Sequence, residues 1–243
     1  FADCGLVILA AGTNQRPGET REALLGRNRA ILQSILEQLT AVNRDAVLLV
    51  VSNPVDVLTG YTLELSGFPA ERVIGSGTVL DTARIKCLLG EKLGVDSRNV
   101  HAFMLGEHGD SEVAVWSSAN ISGADLDDFC LAAGIDDPES MLASLAREVT
   151  HAAYDIIERK GATCYGIAMA VRRIAEAIIR DEHAVLPVST LARGAYGIEG
   201  VCLGLPAVVG RSGVSRVLDL PLSRDETERL LASAHKLKTL MEG

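Results

Sequence analysis

Aromatic side chains are scarce: four Phe, four Tyr and one Trp make up 4% of the 243 residues, although hydrophobic residues reach 48%. The core must therefore be built from Leu, Val, Ile and Ala, which points away from an aromatic-rich sandwich and towards alternating helices and strands. Positive charge is also short. With 23 Lys and Arg against 32 Asp and Glu, the net charge is -9, which argues against nucleic acid or an anionic membrane surface as a non-specific partner. No apolar run is long enough to span a bilayer. The five cysteines (Cys4, Cys87, Cys130, Cys164, Cys202) never occur as CxxC. Thiols in a reducing cytoplasm fit that pattern, and neither a disulfide framework nor a structural zinc site does.

What is present alternates. LVILAAG (6–12) and AVLLVVSNPVD (46–56) read as buried strands of a parallel sheet. Between them, the spacing of Leu24, Leu25, Ile31, Ile35 and Leu39 predicts a helix from Glu22. A helix over 57–67 then leads to a short strand, 72–77. This is the βαβ rhythm of a doubly wound sheet. After Gly77 the character changes. Helices are expected over 78–94, 138–159, 160–180 and 225–241, two strands within 100–116, and a twisted antiparallel pair over 185–197 and 200–214. The fold class is thus α/β: a partial doubly wound (Rossmann) parallel sheet over 1–76, followed by an α+β domain with antiparallel strands over 77–243.

Four polar clusters stand where strands end or turn, the places where open α/β sheets gather ligands. Gln15 to Arg21 is a Gly- and Pro-bearing loop with a guanidinium at its far end; it reads as a closing loop or as ordinary solvated surface. Asn53 follows a buried strand, and Asn-Pro is equally a common turn dipeptide. Asp81 and Arg84, three residues apart on one helix face, form either a carboxylate-gripping pair or a plain helix cap with its ion-pair partner. GEHGD (106–110) interrupts a hydrophobic run, and His108 is the only one of five histidines set in a turn between two apolar strands. It suits proton exchange near neutral pH, or a hydrogen-bonded structural role. Metal binding by His101, His108 and Asp110 has little support, since no second ligand pair occurs at helical or hairpin spacing. Taken together, the inventory suits reduction of a 2-oxo acid.

Five motifs in order, NQRPGETR (14–21), SNPVD (52–56), GSGTVLDTAR (75–84), GEHGD (106–110) and KGATCYGIA (160–168), resemble the bacterial-type L-lactate dehydrogenases of the lactate/malate dehydrogenase family. The resemblance implies NAD-dependent interconversion of pyruvate and L-lactate. It makes His108 the proton donor and Asp81 the group that orients it. Arg84 would bind the substrate carboxylate and Arg21 the developing alkoxide. Asn53 would hold the carbonyl region, Thr163 would line the pocket, and Asn53-Pro54 would be cis. Ser34, Val51, Ser52, Asn53, Ser76 and Ile167 fall where the family contacts the nicotinamide half of NAD. Gln15 stands where malate dehydrogenases carry an arginine, so a neutral side chain favours pyruvate over oxaloacetate; malate dehydrogenase is the alternative within the family. Lys86 and His101 match an intersubunit fructose 1,6-bisphosphate site, the lysine keeping charge but losing the guanidinium fork. A cytoplasmic homotetramer is implied.

The family's GxGxxG fingerprint is absent from the 243 residues, and Gly75-Ser-Gly77 is followed by Leu80 at the third glycine position. The chain opens at Phe1, almost inside an apolar run. The expectation is an N-terminally truncated enzyme whose first strand is an exposed sheet edge and which turns over poorly alone. A non-catalytic remnant acting as an assembly partner is the rival reading.

Overall fold

A computed structural model describes residues 2–13, 21–160 and 163–242. A six-stranded sheet runs through its centre in the order β1 (Leu6–Leu9), β2 (Val47–Val50), β3 (Val73–Gly75), β7 (Ala184–Arg193), β8 (Glu199–Gly210), β9 (Gly213–Val217). The first three strands are parallel; from β3 onward every pairing is antiparallel. Strand alternation divides the apolar residues of β2 between two cores. Leu48 and Val50 enter a cluster with α1 (Arg21–Thr40), α2 (Val55–Ser66) and α7 (Arg224–Glu242). Val47 and Leu49 enter another with α6 (Tyr165–Ile179). Both faces of β2 are covered, which is why the segment is an unbroken apolar run. β1 lies at the sheet's edge, where Ile8 is 44% exposed.

A second, three-stranded antiparallel sheet comprises β4 (Val100–Leu105), β5 (Val113–Ile121) and the two-residue β6 (Ala124–Asp125). It packs with α3 (Val79–Leu93), α4 (Leu126–Ala132) and α5 (Pro138–Lys160) around Ile85, Leu89, Met104 and Leu145. The parallel and antiparallel parts meet at one register pair, Gly75 with Ser189. Glycine is required just beyond it. Gly77 has φ +50, and an added Cβ would lie 2.4 Å from the Ser189 nitrogen and 2.7 Å from the Pro187 carbonyl oxygen. With no slack in the β7 backbone, a side chain at residue 77 would push α3 away from the sheet.

Most sequence expectations hold within a few residues, and three need correction. The helix expected from 160 begins at Tyr165, residues 161 and 162 lying outside the described set. The strand expected over 200–214 is two strands, β8 and β9, turning at Arg211 and Ser212. The short α4 was not anticipated; Asp125 caps it by accepting from the Asp127 amide, and only Leu126 and Cys130 are buried, too brief a pattern to register as periodic.

Candidate active site

The β4–β5 hairpin does not close tightly. Seven residues, Gly106 to Glu112, separate the strands, and this excursion carries His108. Its backbone is anchored at three points. Gly106 exchanges hydrogen bonds with Gly204 of β8 at 2.9 and 2.8 Å. The Glu107 amide donates to Ser233 Oγ on α7 at 2.9 Å. The His108 amide donates to Asp56 Oδ2 on α2 at 2.8 Å.

The start of α3 is sewn to the same place. Thr78 Oγ1 donates to the Met104 carbonyl at 2.6 Å, and the Met104 amide donates to Thr82 Oγ1 at 2.9 Å. Asp81 lies between these threonines and is therefore delivered to the hairpin excursion. Its Oδ2 sits 2.6 Å from His108 Nδ1, while its Oδ1 receives Arg84 Nη1 at a longer 3.4 Å. The ring is thereby oriented with Nδ1 towards Asp81, so Nε2 is the nitrogen left for a reacting group. Among the described residues Asp81 is the only ion-pair partner of Arg84, and at 3.4 Å the guanidinium retains donors for a second carboxylate.

Charge around His108 is one-sided. Burial opposes its protonated form, but Asp81, through hydrogen bond and charge, outweighs that together with Asp56 and Glu112, and pushes the imidazole up to about 9. Burial in turn pushes Asp56 up to about 6. Glu112, which accepts from Thr150 Oγ1 at 2.9 Å, is raised well above the carboxylate range by burial and then by the Asp81 charge. Asp81 is thus the carboxylate in hydrogen-bond contact with the ring, while burial raises the other two.

A cavity of about 310 Å³ opens in front of His108; Leu24, Asn53, Gly109, Tyr154 and Lys236 line it together with the histidine. Asn53 arrives there from the carboxyl end of β2, and Asn53-Pro54 is cis. The ends of the parallel strands converge beside it. Ser52 Oγ donates to the Ala11 carbonyl at 2.8 Å, and the Ser76 amide to Val50 at 2.8 Å. A Cβ on Gly12 would stand 3.3 Å from Ser52 Cβ. A backbone bare at that point, at the carboxyl ends of three parallel strands, fits the nicotinamide end of a dinucleotide. Val51, Leu80 and Ile167 each pack against the apolar cluster on the α6 side. Thr163 is half-buried just before α6, and at Gly166 an added Cβ would lie 3.1 Å from Leu80 and 3.8 Å from Arg84 Nη2. The motif ending in α6 is thus brought up to Arg84.

Not every site residue anticipated from sequence is brought together. Ser34 lies on the exposed side of α1, where its carbonyl accepts from Gln38. Gln15 and the Arg21 side chain lie outside the described residues. Lys86 and His101 line one cavity of about 340 Å³ with Arg173 of α6, a cation that sequence spacing did not connect to them. Burial lowers the Lys86 pKa. The acids flanking His108 have other work: Glu107 binds Lys236 at 2.6 Å and Asp110 accepts from Tyr154 at 2.8 Å. Asp56, Glu112, Ser233 and Lys236 had no assigned role in the sequence reading. Asp56 alone left a trace there, as the acid closing SNPVD.

Comparison with known proteins places this geometry. The model of the lactate/malate dehydrogenase NAD binding domain matches residues 1–75, and that of the lactate/malate dehydrogenase alpha/beta C-terminal domain matches 78–243. The chain is 50% identical over 236 residues to an L-lactate dehydrogenase of Clostridium perfringens, covering 97% of this chain and 74% of the relative. It is 52% identical over 241 residues to one of Streptococcus gordonii, covering 99% and 73%. The minor L-lactate dehydrogenase from Enterococcus mundtii, in its ligands-bound form, superposes with a TM-score of 0.95 at 44% identity, covering 99% of this chain and 76% of that one. No described helix is long and apolar enough to cross a membrane.

Proposed function

Since the chain belongs to the lactate/malate dehydrogenase family, whose members are NAD-dependent 2-hydroxy acid oxidoreductases, we propose that it reduces pyruvate to L-lactate, and runs the reverse, with His108 as proton donor and acceptor. The observation that carries this reading is the 2.6 Å contact of His108 Nδ1 with Asp81, made while Arg84 approaches the other oxygen of the same carboxylate. NAD, when bound, supplies or accepts the hydride. The rest falls to the chain's own residues.

Arg84 grips the substrate carboxylate and fixes the carbonyl relative to the ring. Asn53 donates to the carbonyl region. His108 Nε2 gives its proton to the carbonyl oxygen, and Asp81 stabilises the imidazolium before transfer. Arg21 adds positive charge where the alkoxide develops, and Thr163 closes the pocket side. Ser52, Ser76, Val51 and Ile167 border the nicotinamide. The division at about residue 76 into cofactor-binding and substrate-binding parts follows the same assignment, and the gene product is a cytoplasmic homotetramer.

The test is steady-state kinetics of the full gene product on pyruvate and oxaloacetate. Pyruvate is the preferred substrate, because neutral Gln15 offers no counter-charge to a second carboxylate. Gln15→Arg is expected to move the oxaloacetate-to-pyruvate ratio of kcat/KM upward by about 10²-fold or more, the value of pairing an otherwise desolvated charge. A parent that prefers oxaloacetate would overturn the assignment.

Lys86, His101 and Arg173 give the second cavity three nitrogen-bearing side chains, the donor set of a phosphate-rich anion. Fructose 1,6-bisphosphate is the ligand proposed there. Millimolar concentrations should lower KM for pyruvate in the parent. That response should vanish in Lys86→Ala while activity without the effector persists; a full response in the variant would exclude the cavity as its site.

A further inference from the structure

α7 enters the catalytic hairpin through polar groups that its packing does not require. Its core face is Leu230, Ala234 and Leu237, at helical spacing. Ser233, fully buried on that side, accepts the Glu107 amide at 2.9 Å and meets Ser111 Oγ at 3.1 Å. One turn on, Lys236 Nζ binds Glu107 Oε2 at 2.6 Å, and Ser111 donates to that same oxygen. Glu107 is 8% exposed. The residue immediately before the proton donor is thus held at its amide and at its carboxylate by one helix.

We propose that Ser233 and Lys236 are positioning residues for proton transfer, holding the Gly106–Glu112 excursion in the one arrangement that puts the His108 ring against Asp81. The excursion's other anchors lie at Gly106, His108, Asp110 and Glu112, and none of them holds Glu107. Its internal backbone bond, Glu112 amide to Gly109 carbonyl, is long at 3.2 Å. Gly106 and Gly109, both at positive φ, give it freedom on either side of His108. Asp56 holds the His108 amide and Gly204 holds Gly106, which leaves Glu107 as the point where α7 decides the path of the chain. Lys236 also lines the cavity in front of His108, so a change in α7 reaches the site directly.

The inference rests on His108 as the proton donor, and its test is readable without turnover. The groups facing His108 are Asp81 on α3, Asp56 on α2 and Glu112 within the hairpin excursion. Loss of Lys236 removes a cation and frees the Glu107 charge. Electrostatics alone would then raise the proton affinity of His108. Loss of positioning does the opposite, because the Asp81 contact is weakened while burial persists. The sign of the shift separates the two.

The His108 ring is titrated by NMR in the parent, Lys236→Met, Lys236→Arg and Ser233→Ala. The expected result is a fall of about one pH unit, tenfold in proton affinity, in Lys236→Met and in Ser233→Ala, with most of it recovered in Lys236→Arg. In the full gene product kcat should fall about tenfold with KM for pyruvate within twofold. An unmoved or raised titration in Lys236→Met, or activity lost only in proportion to folded protein by thermal melting, would overturn the proposal. Should Ser233→Ala fail to fold, the half-exposed Lys236 decides by itself. Pyruvate reduction that survives loss of His108 would instead remove the functional reading.

Discussion

Replacing His108 by asparagine is expected to lower kcat for pyruvate reduction by about 10³-fold, within the range that a positioned general acid contributes, while NADH affinity changes by no more than about threefold. Asparagine keeps a polar side chain of similar reach, so the amide bond to Asp56 at 2.8 Å and the anchors at Gly204 and Ser233 should survive. What is lost is an acidic proton. The amide of asparagine donates a hydrogen bond to the carbonyl but cannot release its proton, so on the proposed mechanism the alkoxide would form unprotonated, with Arg21 as the group assigned to stabilise it. Rapid mixing of the gene product with NADH and pyruvate measures both quantities. A variant within tenfold of the parent would show that the proton comes from elsewhere.

Asp81→Asn is the second large effect, and its signature is a displaced pH profile. In the parent, burial lowers the His108 pKa, and Asp81, with help from Asp56 and Glu112, more than offsets it, for a result of about 9 against an ordinary 6.5. Removing the carboxylate charge leaves burial unopposed on that side, and the pKa should fall below 6.5. On the proposed mechanism pyruvate reduction uses protonated His108, so the parent rate should hold through neutrality and decline as pH rises through about 9. The variant rate should already be declining through the low sixes. At pH 7.5 under about a tenth of the variant carries the proton, and the ring has also lost its orienting acceptor; together these lower kcat/KM by on the order of 10²-fold. Lactate oxidation needs the unprotonated ring, so its limb should move in the same direction along the pH axis and begin at lower pH. The linked stability runs likewise. A histidine pKa raised on folding contributes stability fully present below 6.5 and lost as pH rises through about 9. Asp81→Asn should therefore flatten the pH dependence of the melting temperature in that window. Parallel profiles for parent and variant would remove Asp81 as the source of the shift.

The residues to which the proposed chemistry is assigned were those most legible in the sequence. His108 stood out because three ionisable side chains interrupt an apolar hairpin, a break that neither packing nor an ordinary turn explains. Asp81 and Arg84 shared a helix face by spacing. The residues that hold them were silent, each for a physical reason. Asp56 serves through one oxygen accepting a backbone amide, and Ser233 through a hydroxyl on the buried face of an amphipathic helix; Arg173 of the second cavity was silent in the same way. A serine between alanines or an arginine on an amphipathic helix has an ordinary appearance, and its partner lies far along the chain.

From the order of amino acids came the elements, their periodicity and the inventory of a candidate acid, a carboxylate to orient it and an arginine beside that carboxylate, because these depend on neighbours one to four residues apart. Tertiary structure decided which oxygen of Asp81 meets which nitrogen of His108, that Asp56 and Glu112 are buried beside the same imidazole, and that α7 grips the residue before it. Those outcomes depend on separations of a few ångströms between residues 27, 52 and 126 positions apart, distances that only the packed chain sets.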